Sequence, residues 1–256
     1  GRELVAGTNL FIDYRLEGID AQMPTAARHI RGLDREPIAF HLQRGTSVLS
    51  ALRATLVHDT RDEPLLTQRG WHVWLSTDAA FAPIGSDYNF FKVQARASRW
   101  VRLPWKHVLK FEAFGGALFG NAPVFERFYV GDLTDLLPDR LLDLSFDRRS
   151  APNFFGDAIA QVRTGEYAAR LSAEYRVPIY RGTKAIYGAD LFGSMGLYGI
   201  ATSREFTDPA RGYTDFAKVP IDLTFNFGLR VDTALGGMNL GLSTLFGFIP
   251  VQGGGP

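Results

Sequence analysis

The side chains that most often carry chemistry are few in this chain and poorly spaced for it. His29, His41, His58, His72 and His107 are scattered, with no i, i+2 pair and no HExxH-type arrangement, so no metal site is expected. His58 stands beside Asp59, but adjacent residues on a strand face opposite ways, which parts a base from its orienting carboxylate. The absence of cysteine excludes thiol catalysis, disulfide staples and cysteine-based metal sites. No Gly-x-Ser-x-Gly elbow occurs. The glycine-rich run Gly188 to Gly199 lies within a strand pattern with no helix signal after it, so it reads as barrel curvature and not as a phosphate loop. No catalytic residue and no cofactor is therefore assigned. What remains is charge at alternating positions, on Arg96, Arg170, Glu174, Arg176, Arg230 and Asp232. One further stretch stands out: Phe125-Glu126-Arg127-Phe128-Tyr129-Val130-Gly131-Asp132. Aromatics packed around Glu126 and Arg127 suit a loop that is held in place.

The elements that must position these groups have a period of two. Leu10, Ile12, Tyr14 and Leu16 alternate with Asp13, Arg15 and Glu17. Strand patterns follow over Val48 to Thr60, Trp71 to Phe81 and Phe91 to Ser98, the last with Lys92, Gln94 and Arg96 on one face. His107 to Phe119 precedes the aromatic stretch, and Tyr167 to Ile179 follows a long polar segment, Leu133 to Gly165. Ala185 to Gly199, Leu223 to Asp232 and Met238 to Ile249 complete the set, which gives about nine strands. Each runs roughly 10 residues, the length of a tilted strand crossing a membrane. Soluble sandwiches use strands of about 5–6.

The polar faces point the same way. A soluble barrel would bury Arg96, Arg170, Glu174, Arg176, Arg230 and Asp232 in a dry core, whereas a wet lumen tolerates them. The 27 glycines and 20 phenylalanines fit tight corners and a lipid-facing aromatic set. The net charge of +1 gives no sign of a nucleic-acid partner. Mean hydropathy is −0.05, and no apolar run approaches the roughly 20 residues of a membrane helix. Trp71, Trp74, Trp100 and Trp105 lie near strand ends; Trp74 and Trp100 alternate inward, and lipid-facing ones join an interfacial girdle. The expected fold is all-β: a transmembrane antiparallel barrel, one domain over residues 1–256, with a long inward or extracellular loop over 120–166.

Connection lengths alternate between short and long, which assigns the short turns, and with them the N-terminus, to the periplasm. Single-chain bacterial barrels have even strand numbers. An odd count leaves two options: a closing strand absent from this segment, or one missed in Asp20 to Arg44. We favour the first, a C-terminal part of a longer barrel, itself cut short.

The Phe125 to Asp132 stretch resembles the loop entry of the outer-membrane assembly and translocation superfamily of BamA/TamA type, the bacterial surface antigens. There an aromatic-Glu-Arg-Phe-Tyr-x-Gly-Gly run leads into a loop that folds back into the lumen. Asp59-Thr60-Arg61-Asp62 with Gly70-Trp71 is similar to that superfamily's strand–turn–strand signature. Glu174-Tyr175-Arg176-Val177-Pro178-Ile179 is similar to its strand after the long loop. The resemblance covers roughly Ser47 to Ile249. It implies a Gram-negative outer-membrane location and contact with lipid and lipopolysaccharide. It also implies client or partner proteins at a barrel seam or at the periplasmic face. The activity implied is insertion or translocation of proteins, with loop seating by Glu126, Arg127, Phe128, Tyr129 and Gly131. The lumen charges Arg96, Arg170, Arg176 and Arg230 would be the loop's counterparts. The chain departs from the pattern where the family carries a loop Arg-Gly-Phe and a wall aspartate. Leu137-Pro138-Asp139 and Ser194 stand at those places, and Gly-Gly has become Gly131-Asp132. Asp190, paired with Arg140, Arg148 or Arg149, is a possible substitute. The departures leave open a structural barrel that anchors or plugs a complex without insertase activity, and a diffusion pore remains a third reading.

Overall fold

The computed structural model describes residues 1–21, 43, 45–64, 66–129, 151–152, 158–159, 164–183, 185–203 and 221–246. Ten strands form one sheet: β1 (Arg2–Val5), β2 (Thr8–Ala21), β3 (Gly45–Asp59), β4 (Gly70–Ala80) and β5 (Asn89–Arg102), then β6 (Val108–Asn121), β7 (Tyr167–Arg181), β8 (Ile186–Ala201), β9 (Ile221–Thr233) and β10 (Gly236–Phe246). Each strand pairs antiparallel with its neighbours in sequence order, so even β6 and β7, separated by the long segment, lie side by side. No pairing joins β1 to β10 among the described residues, and the sheet is open.

The strands are long because the pattern runs unbroken. β2, β5 and β6 have 14 residues each, about 46 Å at the usual strand rise, enough to cross a bilayer while tilted. Alternation decides which face meets what. Leu171, Leu191, Met195, Phe227 and Leu240 lie half or more exposed on the outer face. Asp78, Lys92, Glu112, Arg170, Arg176 and Asp232 are buried on the inner one. That inside-out distribution places hydrocarbon against lipid and lets charges pair away from it.

Two long-range contacts show that the sheet curls. Arg15 of β2 meets Glu126, just past β6, although three strands lie between them along the sheet. Leu66, in the β3–β4 turn, approaches Gly188 of β8 so closely that a β-carbon there would lie 2.7 Å from its Cδ2. That turn is built on Asp62, whose Oδ1 accepts the backbone N–H groups of Glu63, Gln68 and Arg69. Asp59 and Arg61 form a fork beside it. Gly70 takes φ 120°, and a β-carbon would fall 2.4 Å from the Thr60 carbonyl oxygen, which is why glycine opens β4.

Ten strands are described where the alternation gave about nine: the added one is β1, a short hairpin partner of β2 that the alternation beginning at Leu10 did not include. The sheet does not close, as expected of part of a larger barrel, and most of Asp20 to Arg44 lies outside the described residues. The inner face is not polar throughout. Leu49, Tyr88, Phe90, Phe114, Leu118, Phe128, Tyr198 and Ile200 form an apolar cluster toward the end where the long connections lie. Lys92 and Glu126 are set into it, and Glu112, Glu174, Arg176, Arg230 and Asp232 lie nearer the short turns.

Candidate functional site: the seat of the loop entry

β6 ends in Gly120 and Asn121, and the chain then turns over the inner face. Pro123 leads into a single 3₁₀ turn, Val124–Glu126, closed by the Glu126 and Arg127 N–H groups donating to the carbonyls of Pro123 and Val124. The turn drives Glu126 inward to 1% exposure. An ionised carboxylate at that depth requires partners. Arg15 Nη2 donates to its Oε1 at 2.5 Å, and Lys92 Nζ lies 3.6 Å from its Oε2. The same ammonium donates to the Glu126 carbonyl oxygen at 2.8 Å and sits 4.9 Å from the Phe128 ring centroid. Glu126 is thus a junction of β2, β5 and the loop entry.

Phe128 is fully buried at 0% exposure. Its ring stands edge-on to Phe114 and lies over Gly116, where a β-carbon would be 2.4 Å from Cζ. Only glycine at 116 leaves room for the ring. Arg96 stacks over the other aromatic of the pair, 5.5 Å from the Phe114 centroid.

The exit of the long segment is tied to its entry. Phe128–Tyr129 pairs antiparallel with Thr164–Gly165. Arg127 Nη2 reaches Glu166 Oε1 at 3.4 Å. Glu166 is itself held by both flanking strands: its carbonyl accepts from Leu118 N–H, its N–H donates to Ala201, and its carboxylate accepts from Ser203 N–H at 2.9 Å. Gly131 lies outside the described residues, as do Leu137, Pro138, Asp139, Arg140, Arg148 and Arg149.

The sequence singled out Glu126, Arg127, Phe128 and Tyr129, of which Glu126 and Phe128 are buried at this turn and Tyr129 is described by its backbone pairing alone. It did not single out Arg15, Lys92, Gly116 or Glu166. Among the described residues Glu126 pairs with Arg15 and Lys92 and not with the expected Arg96, Arg170, Arg176 or Arg230, while the loop beyond Tyr129 lies largely outside them. Arg96 reaches the seat only through Phe114. Arg170 pairs with Glu112 at 3.5 Å, and Glu112 also takes Lys110 at 2.8 Å and the Ser98 hydroxyl. Arg176 pairs with Glu174 and Arg230 with Asp232, each within one strand. The reason is distance along the sheet. These arginines stand on β7 and β9, while the loop entry folds back over β5 and β6 toward β2. The signal for Lys92 was present, as an ammonium on the inner face of a central strand. The signal for Gly116 was hidden by the ordinary glycine content of a curved sheet.

At the departed wall position, Ser194 accepts from Asn226 Nδ2 at 3.0 Å. Asp190 is buried and receives Arg181 Nη1 at 2.5 Å, so its partner comes from the adjoining strand.

The comparisons with known proteins agree with this architecture. Residues 12–241 match the model of the Omp85 superfamily domain. The outer membrane protein assembly factor BamA of Nitratidesulfovibrio vulgaris is 29% identical over 125 residues, 47% of this chain and 16% of that protein. In the crystal structure of BamA from Haemophilus ducreyi lacking POTRA domains 1–3, the likeness covers 96% of this chain and 49% of that one. The TM-score is 0.62 at 12% identity, a likeness of fold. The chain therefore spans about a sixth of the curated relative and about half of the solved one. An open, ten-stranded, lipid-facing sheet with a match over most of its length has one family reading: the chain belongs to the Omp85 superfamily of outer-membrane β-barrels.

Proposed function

We propose that this chain is the wall of an outer-membrane barrel that inserts or translocates other proteins, with the loop entry at Glu126–Tyr129 as its fixed internal reference. The observation that carries this reading is the burial of Glu126 between Arg15 and Lys92. Two cations from different strands converge on one loop carboxylate, and that fixes the loop's origin against the inner wall. The work is done by binding alone. A client strand adds to a free sheet edge through backbone hydrogen bonds. Partners under this reading are outer-membrane lipid, lipopolysaccharide and client proteins.

A second reading keeps the barrel but removes insertion: a structural anchor or plug. It is favoured by the wall at Ser194 and Asp190, where one residue offers no carboxylate and the other is already held by Arg181. Depletion of the protein in its native host separates the two. A general fall in outer-membrane barrels, restored by the native gene but not by Phe128→Ala, is expected for insertion. Normal barrel levels with one complex missing would overturn it in favour of the anchor.

A further inference from the structure

On the outer face of β4, β5 and β6 the alternating positions are apolar, aromatic or uncharged polar, with one exception among the described residues: Arg99. Its row fixes the face. Arg99 stands opposite Trp71 of β4 and Phe111 of β6, which are 45% and 47% exposed, while Trp100, next along β5, is buried. The guanidinium carbon lies 4.8 Å from the Trp71 ring centroid. No carboxylate of these three strands shares that face. A cation on the lipid face is costly at the bilayer midplane and tolerated near the interface. Arg99 lies three residues from the end of β5, about 10 Å along the strand, so its extended side chain reaches the headgroups.

The turn that follows β5 carries an independent sign. The His107 N–H donates to the Pro104 carbonyl at 3.2 Å, and Trp105 and Lys106 between them take φ 57° and 63°. Two left-handed residues in succession make a type I′ hairpin turn, a conformation that asparagine and glycine suit. A tryptophan and a lysine there strain the backbone, and such strain persists where the side chains are used. Trp105 is 86% exposed. Its ring meets His107 edge-on at 6.0 Å, and His107 Nδ1 lies 2.5 Å from the hydroxyl of Tyr175, a half-exposed residue of β7. The turn thus carries the aromatic outer surface past the strand ends and adds the ammonium of Lys106 to it.

We propose that Arg99 and Trp71, with the Trp105–Lys106 turn beyond them, bind the phosphodiester headgroup of a membrane phospholipid. A guanidinium donates paired hydrogen bonds to phosphate oxygens. An indole settles at the boundary between headgroup and hydrocarbon. The acyl chains then lie along the apolar outer face. Assignment of the short turns to the periplasm makes this the phospholipid leaflet and not the lipopolysaccharide one. The site needs the barrel in a membrane and does not rest on the insertion of clients.

The test is native mass spectrometry of the purified protein in detergent, titrated separately with phosphatidylglycerol, the matching diacylglycerol and lipid A, with inorganic phosphate as competitor. Saturable retention of phosphatidylglycerol alone, untouched by inorganic phosphate, is expected. Arg99→Gln should weaken it at least ten-fold, and Arg99→Lys should restore part of it. Trp105→Asn combined with Lys106→Gly gives the turn its favoured residues. It should weaken retention several-fold while the urea midpoint holds or rises, which a purely structural turn would not do. Arg102→Gln removes the same charge from the opposite face of β5 and should leave retention unchanged. Heat-modified gel mobility establishes that each variant is folded. Equal retention of diacylglycerol, preference for lipid A, displacement by inorganic phosphate, or no retention by the native protein would each overturn the site. So would equal effects of Arg99→Gln and Arg102→Gln in folded protein. Intact lipid retention in a protein whose depletion spares outer-membrane barrels would remove the assembly reading and leave the site standing.

Discussion

The two halves of the inner wall use the same residue types to opposite ends. On the β2–β6 side, charges bridge elements far apart in sequence: Arg15, Lys92 and Glu126 join two strands to a loop entry. Packed aromatics roof them, and Lys92 and Glu126 are each 1% exposed. On the β7–β10 side, the pairs Glu174–Arg176 and Arg230–Asp232 each lie two residues apart on one strand. Arg170–Glu112 and Arg181–Asp190 add ties between neighbouring strands. None of these four pairs reaches across several strands as Arg15–Glu126 does. The first half holds part of the chain against the wall, and the second ties its own strands together.

The largest way to break this contrast is to empty the pinned half. Phe128→Ala removes a fully buried ring and leaves a void over Gly116, so folding stability should fall by about 4 kcal/mol. The shift of the urea midpoint in detergent measures it. Glu126→Gln comes next. It removes the carboxylate that Arg15 and Lys92 share and should cost about 3 kcal/mol. Replacing Lys92 and Glu126 together with methionine should recover most of that loss, because a buried pair is worth little more than well-packed apolar groups. If the double variant is no more stable than the single one, the seat depends on the ammonium's bond to the Glu126 carbonyl and not on the ion pair.

The fold was legible because period-two alternation over long strands has one physical outcome, and Leu223 to Asp232 displays it without interruption. The seat was half legible. Glu126 and Phe128 stand in a compact aromatic stretch, but Arg15 and Lys92 are single cations in ordinary alternating strands. Nothing local marks them as neighbours. Only the curl of the sheet brings β2 to the β6 loop, and curvature accumulates over several strands without any one residue encoding it. The apolar cluster inside the wall was hidden for a related reason. Leu49, Phe90 and Phe114 occupy inward positions whose strand-mates are polar, so averaging along each strand assigned the whole face to charge.

Asp232→Asn sharpens the contrast from the other side. Asp232 is as buried as Glu126, but its partner Arg230 borders a cavity in the inner wall and is a quarter exposed. Arg230 can turn to water there, so the loss should be about 1 kcal/mol, a third of that for Glu126→Gln. Equal losses in the two variants would mean that the wall is uniformly dry and that the halves do not differ.

The smallest effect concerns the turn that joins the halves. Asp62 holds the β3–β4 turn, and that turn carries Leu66 across to Gly188. Partial burial raises the Asp62 pKa, but the N–H donors of Gln68, Arg69 and Glu63 outweigh it and hold the carboxyl below the ordinary aspartate value. A group depressed in this way stabilises the fold above its unfolded pKa, about 3.9. That stabilisation is lost as pH falls through the lower folded value. The turn should therefore be unaffected between pH 5 and 8 and loosen only under stronger acid. Amide exchange at Gln68 and Arg69, corrected for its intrinsic pH dependence, should be constant over the neutral range and accelerate below about pH 4. Asp62→Ala should show the accelerated exchange at pH 7 without moving the urea midpoint by more than about 1 kcal/mol, because the turn lies outside the paired strands. A larger drop would mean that the Leu66–Gly188 approach helps hold the curl of the sheet, and the two halves would then be coupled through their rim.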